Sequence, residues 1–415
     1  MKASIGILEL LAELAAIGED PHGGVTRLLY DSAWRQAQQA AARMMADAGL
    51  AVSIDEVGNV YGRLAGSDAE ALHVLTGSHM DTVPCGGRYD GALGIAAGIA
   101  ALSELQFKYG QPRRTLEVVS FCEEEGSRFP LAYWGSGNVT GSKSFDGALE
   151  AKDSEGISLR EAMVEAGFDP DAHRRSRRTD IGIYIELHIE QGEVLERSQC
   201  EIGVVDAICG QRRYFVDIQG RSGHAGTTPM AIREDALAAG AEMIVWLRKA
   251  GVEHGDGLVA TVGKLDVSPN IANVIPDKVR FSVDIRHRDE AVITAFCERT
   301  FQAFEVTAAQ HNVLISKSCW LSEHPAPMNA AIQERMARIA EDKGYSHMTV
   351  TSGAGHDAGL FASQCACAMI FVPSQGGISH SPLEYTAPDA IVRGTDVLTE
   401  LLYQLAYVEE SHEAI

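Results

Sequence analysis

The sequence contains no run of about 18 apolar residues, so it offers no segment long enough to cross a bilayer as a helix. Basic residues are scarce: 35 Lys and Arg stand against 57 Asp and Glu, a formal net charge of −22. A surface so acidic repels phosphate backbones and anionic lipid, which sets aside nucleic acid and membrane as partners. One basic cluster, Arg174, Arg175, Arg177 and Arg178, follows a Pro170–Asp171 turn signal and reads as a solvated loop. Cysteine supplies no scaffold. The eight residues (Cys85, Cys122, Cys200, Cys209, Cys297, Cys319, Cys365 and Cys367) form neither a disulfide framework nor a paired CxxC zinc pattern. Cys365 and Cys367 flank an apolar run and read as small hydrophobes. The opening MKASIGILELLAELAAIGED lacks the unbroken apolar stretch and cleavage site of a signal peptide, so the expected location is the cytoplasm. Also missing are a GxSxG elbow and a Walker A loop, the signatures of serine hydrolysis and P-loop chemistry. No internal repeat or low-complexity tract is evident.

What is present is enough chain for two domains: 415 residues, 46% hydrophobic and 22% charged, a globular composition. Apolar runs reading as buried strands cover His73–Gly77, Thr115–Cys122, Ile181–Gly192 and Ala368–Ser374, interleaved with helical patterns. These include the small-residue helix GALGIAAGIAALSEL and a last helix from about Ala387 to Tyr407. This alternation predicts an α/β layer. The middle differs. A strand Arg213–Gln219, a helix Glu234–Lys249, strands Leu258–Leu265 and Lys278–Arg286, a helix Glu290–Gln310 and a strand Val313–Lys317 give the order βαββαβ. The expected architecture is a metallopeptidase-like catalytic α/β domain (residues 1–211 and 326–415) interrupted by a ferredoxin-like lid or dimerisation domain (residues 212–325).

Four segments carry chemistry, each beside or within a strand. In GSHMDTVPCGGRYDG, His79 lies just past a strand end, where α/β folds place ligands. Asp81 can hold one imidazole nitrogen and aim the other, and Asp90 returns after a Gly-rich turn. Any one of these residues alone would be an ordinary turn residue. In FCEEEGSRF, three adjacent carboxylates repel one another unless solvated or neutralised by cations; directly after a buried strand, cation binding is the better reading. In IYIELHIEQG, alternation puts Glu186, His188 and Glu190 on the face opposite the isoleucines. His356 and His380 sit in Gly/Ser-rich loops, as ligands or as acid–base groups. Imidazoles and carboxylates without thiolates suit Zn²⁺, Mn²⁺, Co²⁺ or Ni²⁺. Two such ions sharing a carboxylate would bring a water's pKa down toward about 7.

Together, and in this order, HxD, the downstream Asp, EEEGSRF, ELHIEQG, GHAGTTPM and GAGHDA resemble the hydantoinase/carbamoylase group of amidases. That group falls within the dinuclear-zinc carboxypeptidase and aminoacylase superfamily, and the resemblance spans nearly the whole chain. GGVTRLLY, EVGNVYGRL and GQRRY are most similar to the allantoate-hydrolysing branch. The resemblance implies two divalent ions, one on His79 and His188, the other on Glu125 and His380, with Asp90 bridging. It implies Glu124 as general base and Asp81 as the orienting carboxylate. Gln211, Arg213, Asn273 and Arg286 would bind a substrate carboxylate, since the planar guanidinium matches it bidentately. His356 would contact substrate, and His224 would stabilise the oxyanion across a homodimer interface. The implied reaction cleaves a ureido C–N bond of allantoate, giving ureidoglycine, ammonia and carbon dioxide. Two alternatives stay open: the same chemistry on N-carbamoyl-L-amino acids or 3-ureidopropionate, and a non-catalytic metabolite-binding protein with structural metals.

Overall fold

The structure, a computed structural model, describes residues 6–408; the first five residues of the N-terminal stretch read above fall outside that range. The chain forms two compact units. One comprises residues up to Asp206 and from Met328 onward, the other Ala207–Pro327. Among the described residues no helix is long and apolar enough to cross a membrane.

In the first unit, consecutive hydrogen-bonded strands run Ala51–Ile54, Val60–Leu64, Leu116–Phe121, His73–His79, Ile181–Ile189, Ala366–Val372 and Ile202–Ile208. The four from Leu116–Phe121 to Ala366–Val372 are mutually parallel. All four expected strands are therefore present, and being parallel they deliver their C-terminal ends to one edge. That edge holds His79, the loop after Phe121, His188 and the loop after Val372.

Alternation sorts the side chains by face. Val74, Val118, Ile183, Ile185 and Leu187 join the large core built with helices Ile7–Ala15, Ser32–Asp47, Ala92–Tyr109, Ala330–Asp342 and Pro388–Ala406. On the other face Tyr184 stacks on Phe361, with ring centroids 4.3 Å apart, and lies tilted against Phe121 at 6.1 Å. The small-residue helix Ala92–Tyr109 can lie close to the sheet because Gly98 has no side chain; a Cβ there would stand 2.6 Å from Val118 Cγ2.

The basic cluster is only partly the solvated loop expected. Arg174 pairs with Asp146 in solvent, whereas Arg178 is largely buried and binds Glu117 at 2.7 Å and Asp180 at 2.8 Å. Burying Glu117 in a strand requires a counter-charge, and Arg178 is within reach.

The second unit has strand order Leu265–Ser268, Lys278–His287, Gly210–Gln219, Leu314–Glu323, all antiparallel, with Val259–Thr261 also paired to Lys278–His287. Helices Ala236–His254 and Glu290–Gln310, N-capped by Asp235 and Asp289, pack into one core with Val216, Ile218, Phe281, Val283 and Ile285. This is the expected ferredoxin-like layer, with one difference. The strand read as Leu258–Leu265 is broken in two, because Thr261 faces Asp284 while Leu265 faces Phe281. One extra residue is accommodated, a bulge with Ser282 bonded to both backbone groups of Lys264.

The tight approach of helix to sheet is testable. Gly98→Leu overpacks that contact and should cost about 1–3 kcal/mol or more, read from chemical denaturation. An unchanged midpoint would contradict the packing described.

Candidate metal and catalytic site

The parallel edge of the first unit gathers the residues singled out from four separate segments. Donor atoms of His79, Asp90 and His188 lie within 4.8 Å of one another, and so do those of Asp90, Glu125 and His380. Asp90 belongs to both groups. Its Oδ1 is 3.3 Å from His79 Nε2 and 3.2 Å from His188 Nε2; its Oδ2 is 3.4 Å from His380 Nε2, which also stands 3.1 Å from Glu125 Oε1. Glu124 groups with His79 and Glu125.

The backbone enforces this convergence. Asp81, fully buried, accepts the amides of Glu124 and Glu125, each at 3.0 Å, one on either carboxylate oxygen. Its carbonyl accepts His79 Nδ1–H at 3.0 Å. Gly91 has φ +66°, and a Cβ there would press within 2.4 Å of the His79 carbonyl, so only glycine suits.

These bonds fix the tautomers. A carbonyl only accepts, so His79 Nδ1 donates to Asp81 O and His188 Nδ1 to Ile189 O at 2.9 Å. In the neutral rings Nε2 is then a lone pair. Gly91 N–H points at His188 Nε2 from 3.3 Å, as it would toward an acceptor. Two lone pairs facing one carboxylate oxygen repel unless a cation or a proton lies among them. The donor set is thus that of a divalent N/O site.

Electrostatics agree. Burial pulls His79 and His188 down, yet neighbouring carboxylates outweigh it and hold both above the usual imidazole range: Asp81 and Asp90 for His79, Asp90 for His188. Hydrogen bonds that His380 donates to Asp90 and Glu125 push it up to about 10. Burial drives Glu124 well above the usual carboxylate range, with Glu125, Asp357 and Asp81 adding to it and His79 opposing. A carboxylate with raised proton affinity is suited to accept a proton.

Other members of the motifs do different work. Glu123 turns inward and caps the Gly126 amide. Glu190, read on the site face, instead accepts the amides of Val194 and Leu195. Glu186, fully buried, accepts Ser78 Oγ–H at 2.7 Å and the Ala358 amide. His356, expected to touch substrate, is only 3% exposed. It packs edge-on against His188 with centroids 4.6 Å apart, its Nε2 2.9 Å from Ser352 Oγ. In this structure it adjoins the candidate ligand His188.

The second unit carries the remaining residues. Adjacent strands put Gln211 opposite Arg286 and Arg213 opposite Asp284. Arg213 binds Asp284 at 2.8 Å, and Arg286 holds it through two bonds of 3.0 and 2.9 Å. Asp284, absent from the sequence reading, spaces the two guanidinium groups. His224 and Asn273 lie on the exposed ribbon Gly223–His224 with Val274–Ile275 and the turn before it. Gly226 N–H donates to His224 Nδ1 at 3.0 Å, so the neutral ring carries its hydrogen on Nε2, as a donor.

The model of peptidase family M20/M25/M40 matches residues 75–404. The chain belongs to this family. It is 45% identical to an allantoate amidohydrolase of Bacillus subtilis over 401 residues, 97% of each chain. It is 42% identical to the allantoate amidohydrolase of Escherichia coli, covering 97% and 98% of the two chains. A hydantoinase/carbamoylase-family amidase structure from Burkholderia multivorans superposes with TM-score 0.90 at 35% identity, covering 97% and 98%.

In this M20-family chain three further residues complete the Asp90 surroundings and were not picked out from the sequence. Gln191 and Ser379 reach Asp90 Oδ2 at 2.8 and 3.0 Å, and Glu384 accepts the Tyr89 and Asp90 amides. The signal available was proximity, since Gln191 follows His188 by three residues and SHSPLEYT holds Ser379, His380 and Glu384.

Because protons and cations compete for the same Nε2 atoms, cation binding should release protons, and affinity should fall as pH drops below the raised imidazole values. Titration of the metal-free protein in weak buffer checks this. Binding without proton release at a pH below those raised values would contradict the raised proton affinity of His79 and His188.

Proposed function

We propose that this chain hydrolyses a ureido C–N bond of allantoate, yielding ureidoglycine, ammonia and carbon dioxide. One observation carries the reading: three imidazole Nε2 atoms converge on the two oxygens of one buried carboxylate, Asp90, with Glu125 beside the third of them, His380. The similarity to allantoate amidohydrolases supports the choice of substrate.

His79 and His188 would hold one divalent ion, Glu125 and His380 the other, with Asp90 between them; Zn²⁺ and Mn²⁺ suit this set, with Co²⁺ and Ni²⁺ as alternatives. When bound, such a pair supplies Lewis acidity to the carbamoyl oxygen and acidifies a water. Glu124 takes the proton of the attacking water and delivers it to the leaving nitrogen, for which its raised affinity for protons suits it. Asp81 keeps Glu124 and Glu125 aligned through their amides. Arg213 and Arg286, spaced by Asp284, receive the substrate carboxylate with Asn273 and Gln211. His224 donates from Nε2 to the developing oxyanion, and we assign this to the partner subunit of a homodimer. The enzyme would work in the cytoplasm.

Ammonia release from allantoate, N-carbamoyl-L-amino acids, 3-ureidopropionate and N-acetyl amino acids tests the substrate, with Glu124→Gln as control. Allantoate should turn over fastest, and Glu124→Gln should retain both cations while losing about 10²–10⁴-fold or more in rate. Faster turnover of an N-carbamoyl-L-amino acid would reassign the substrate. An unimpaired Glu124→Gln would remove the base, and cation and metabolite binding without turnover would make the chain a binder.

A further inference from the structure

We infer that Glu384 is a positioning residue that fastens the loop carrying Asp90 to the loop carrying His380, and so sets the spacing of the two cation positions. The inference rests on the two-cation reading above.

Glu384 is 5% exposed and nearly 300 residues from Asp90 along the chain. Its Oε1 accepts both the Tyr89 amide (2.9 Å) and the Asp90 amide (3.1 Å). Its Oε2 lies 2.9 Å from Ser379 Oγ, which is also 3.0 Å from Asp90 Oδ2. The contacts close a ring: Asp90 backbone, Glu384, Ser379, Asp90 carboxylate.

Two features show that the loops are shaped around this carboxylate. A Cβ on Gly87 would overlap the Glu384 carboxyl at 1.9 Å, so the Asp90 loop closes onto it only because residue 87 is glycine. His380, next to Ser379, has φ +53°, a left-handed conformation that a non-glycine residue keeps only when its surroundings enforce it. The Glu384 amide bonds back to the Ser381 carbonyl at 3.0 Å, closing the turn from the other side.

The arrangement mirrors Asp81. One buried carboxylate accepts the consecutive amides of Glu124 and Glu125; the other accepts those of Tyr89 and Asp90. Placing a carboxylate beside Asp90 is unfavourable in itself, and these contacts give it a purpose. Partners of metal ligands typically contribute about 10–100-fold in metal affinity.

The test is cation content and affinity of the purified full-length protein with Zn²⁺ or Mn²⁺, by elemental analysis and chelator competition, alongside kcat and KM. Wild type should hold two ions. Glu384→Ala should keep one at wild-type affinity and bind the second about 10–100-fold more weakly, its kcat recovering in excess metal at unchanged KM. Glu384→Gln keeps an oxygen for both amides and offers N–H to Ser379, so it should hold both ions within about threefold of wild type, well short of that 10–100-fold loss.

Two ions at wild-type affinity in Glu384→Ala, or a Gln variant as impaired as the Ala variant, would overturn the inference. Should Glu384→Ala fail to fold, Gly87→Ala displaces the same carboxylate; the second ion should again weaken, and two tightly held ions would overturn the role. Fewer than two ions in wild type would instead strike the two-cation reading and leave the loop contacts unexplained.

Discussion

The first unit is organised around the carboxylate of Asp90 and the imidazoles aimed at it. His79 and His188 have each committed Nδ1 to a backbone carbonyl, so both direct Nε2 at the same carboxylate oxygen. That geometry is repulsive when left bare and favourable around a positive charge. The surroundings carry the same demand. Asp81, Asp90, Glu123, Glu124, Glu186, Asp357 and Glu384 are all buried in the first unit, and its one fully buried arginine among the described residues is Arg27, Arg178 being paired with Glu117 and Asp180. Arg27 is held by the carbonyls of Met80 and Leu14, next to the His79 loop. One guanidinium does not balance so many buried acids, several of which burial holds above the usual carboxylate range. Cations do.

The fold makes this concentration possible by separating rigidity from reactivity. Parallel strands with apolar cores deliver four loops to one edge, and each loop is then fixed by hydrogen bonds to backbone amides. Asp81 and Glu384 do this for the Glu124–Glu125 and Tyr89–Asp90 segments. Glycine is required where loops meet side chains, at Gly91 beside His79 and Gly87 beside Glu384. In the second unit the antiparallel register does comparable work, setting Arg213 and Arg286 around Asp284.

Much of this was legible in the sequence, for identifiable reasons. Buried parallel strands show as continuous apolar runs, and residues at or just past their ends belong to one edge, so the sequence alone groups His79, the acidic run, His188 and His380. Motif order tied the roles to residues. What stayed hidden depends on distance along the chain. Glu384 is marked only by its nearness to His380, not as a partner of Asp90, and Asp284 reads as an ordinary strand residue until register puts it opposite Arg213. Alternation placed Glu190 on the site face, but the strand ends at Ile189 and its carboxylate turns to two amides beyond. His356 was legible as a histidine in a loop, not as one packed behind another. The bulge at Lys264 split a strand that hydrophobicity alone reads as continuous.

The most direct test is diffraction from crystals grown with Zn²⁺, collected on both sides of the zinc absorption edge. Two anomalous peaks about 3.5–4 Å apart, one beside His79 and His188 and the other beside Glu125 and His380, with Asp90 between them, are the outcome this account predicts. A single peak, or peaks away from Asp90, would contradict it.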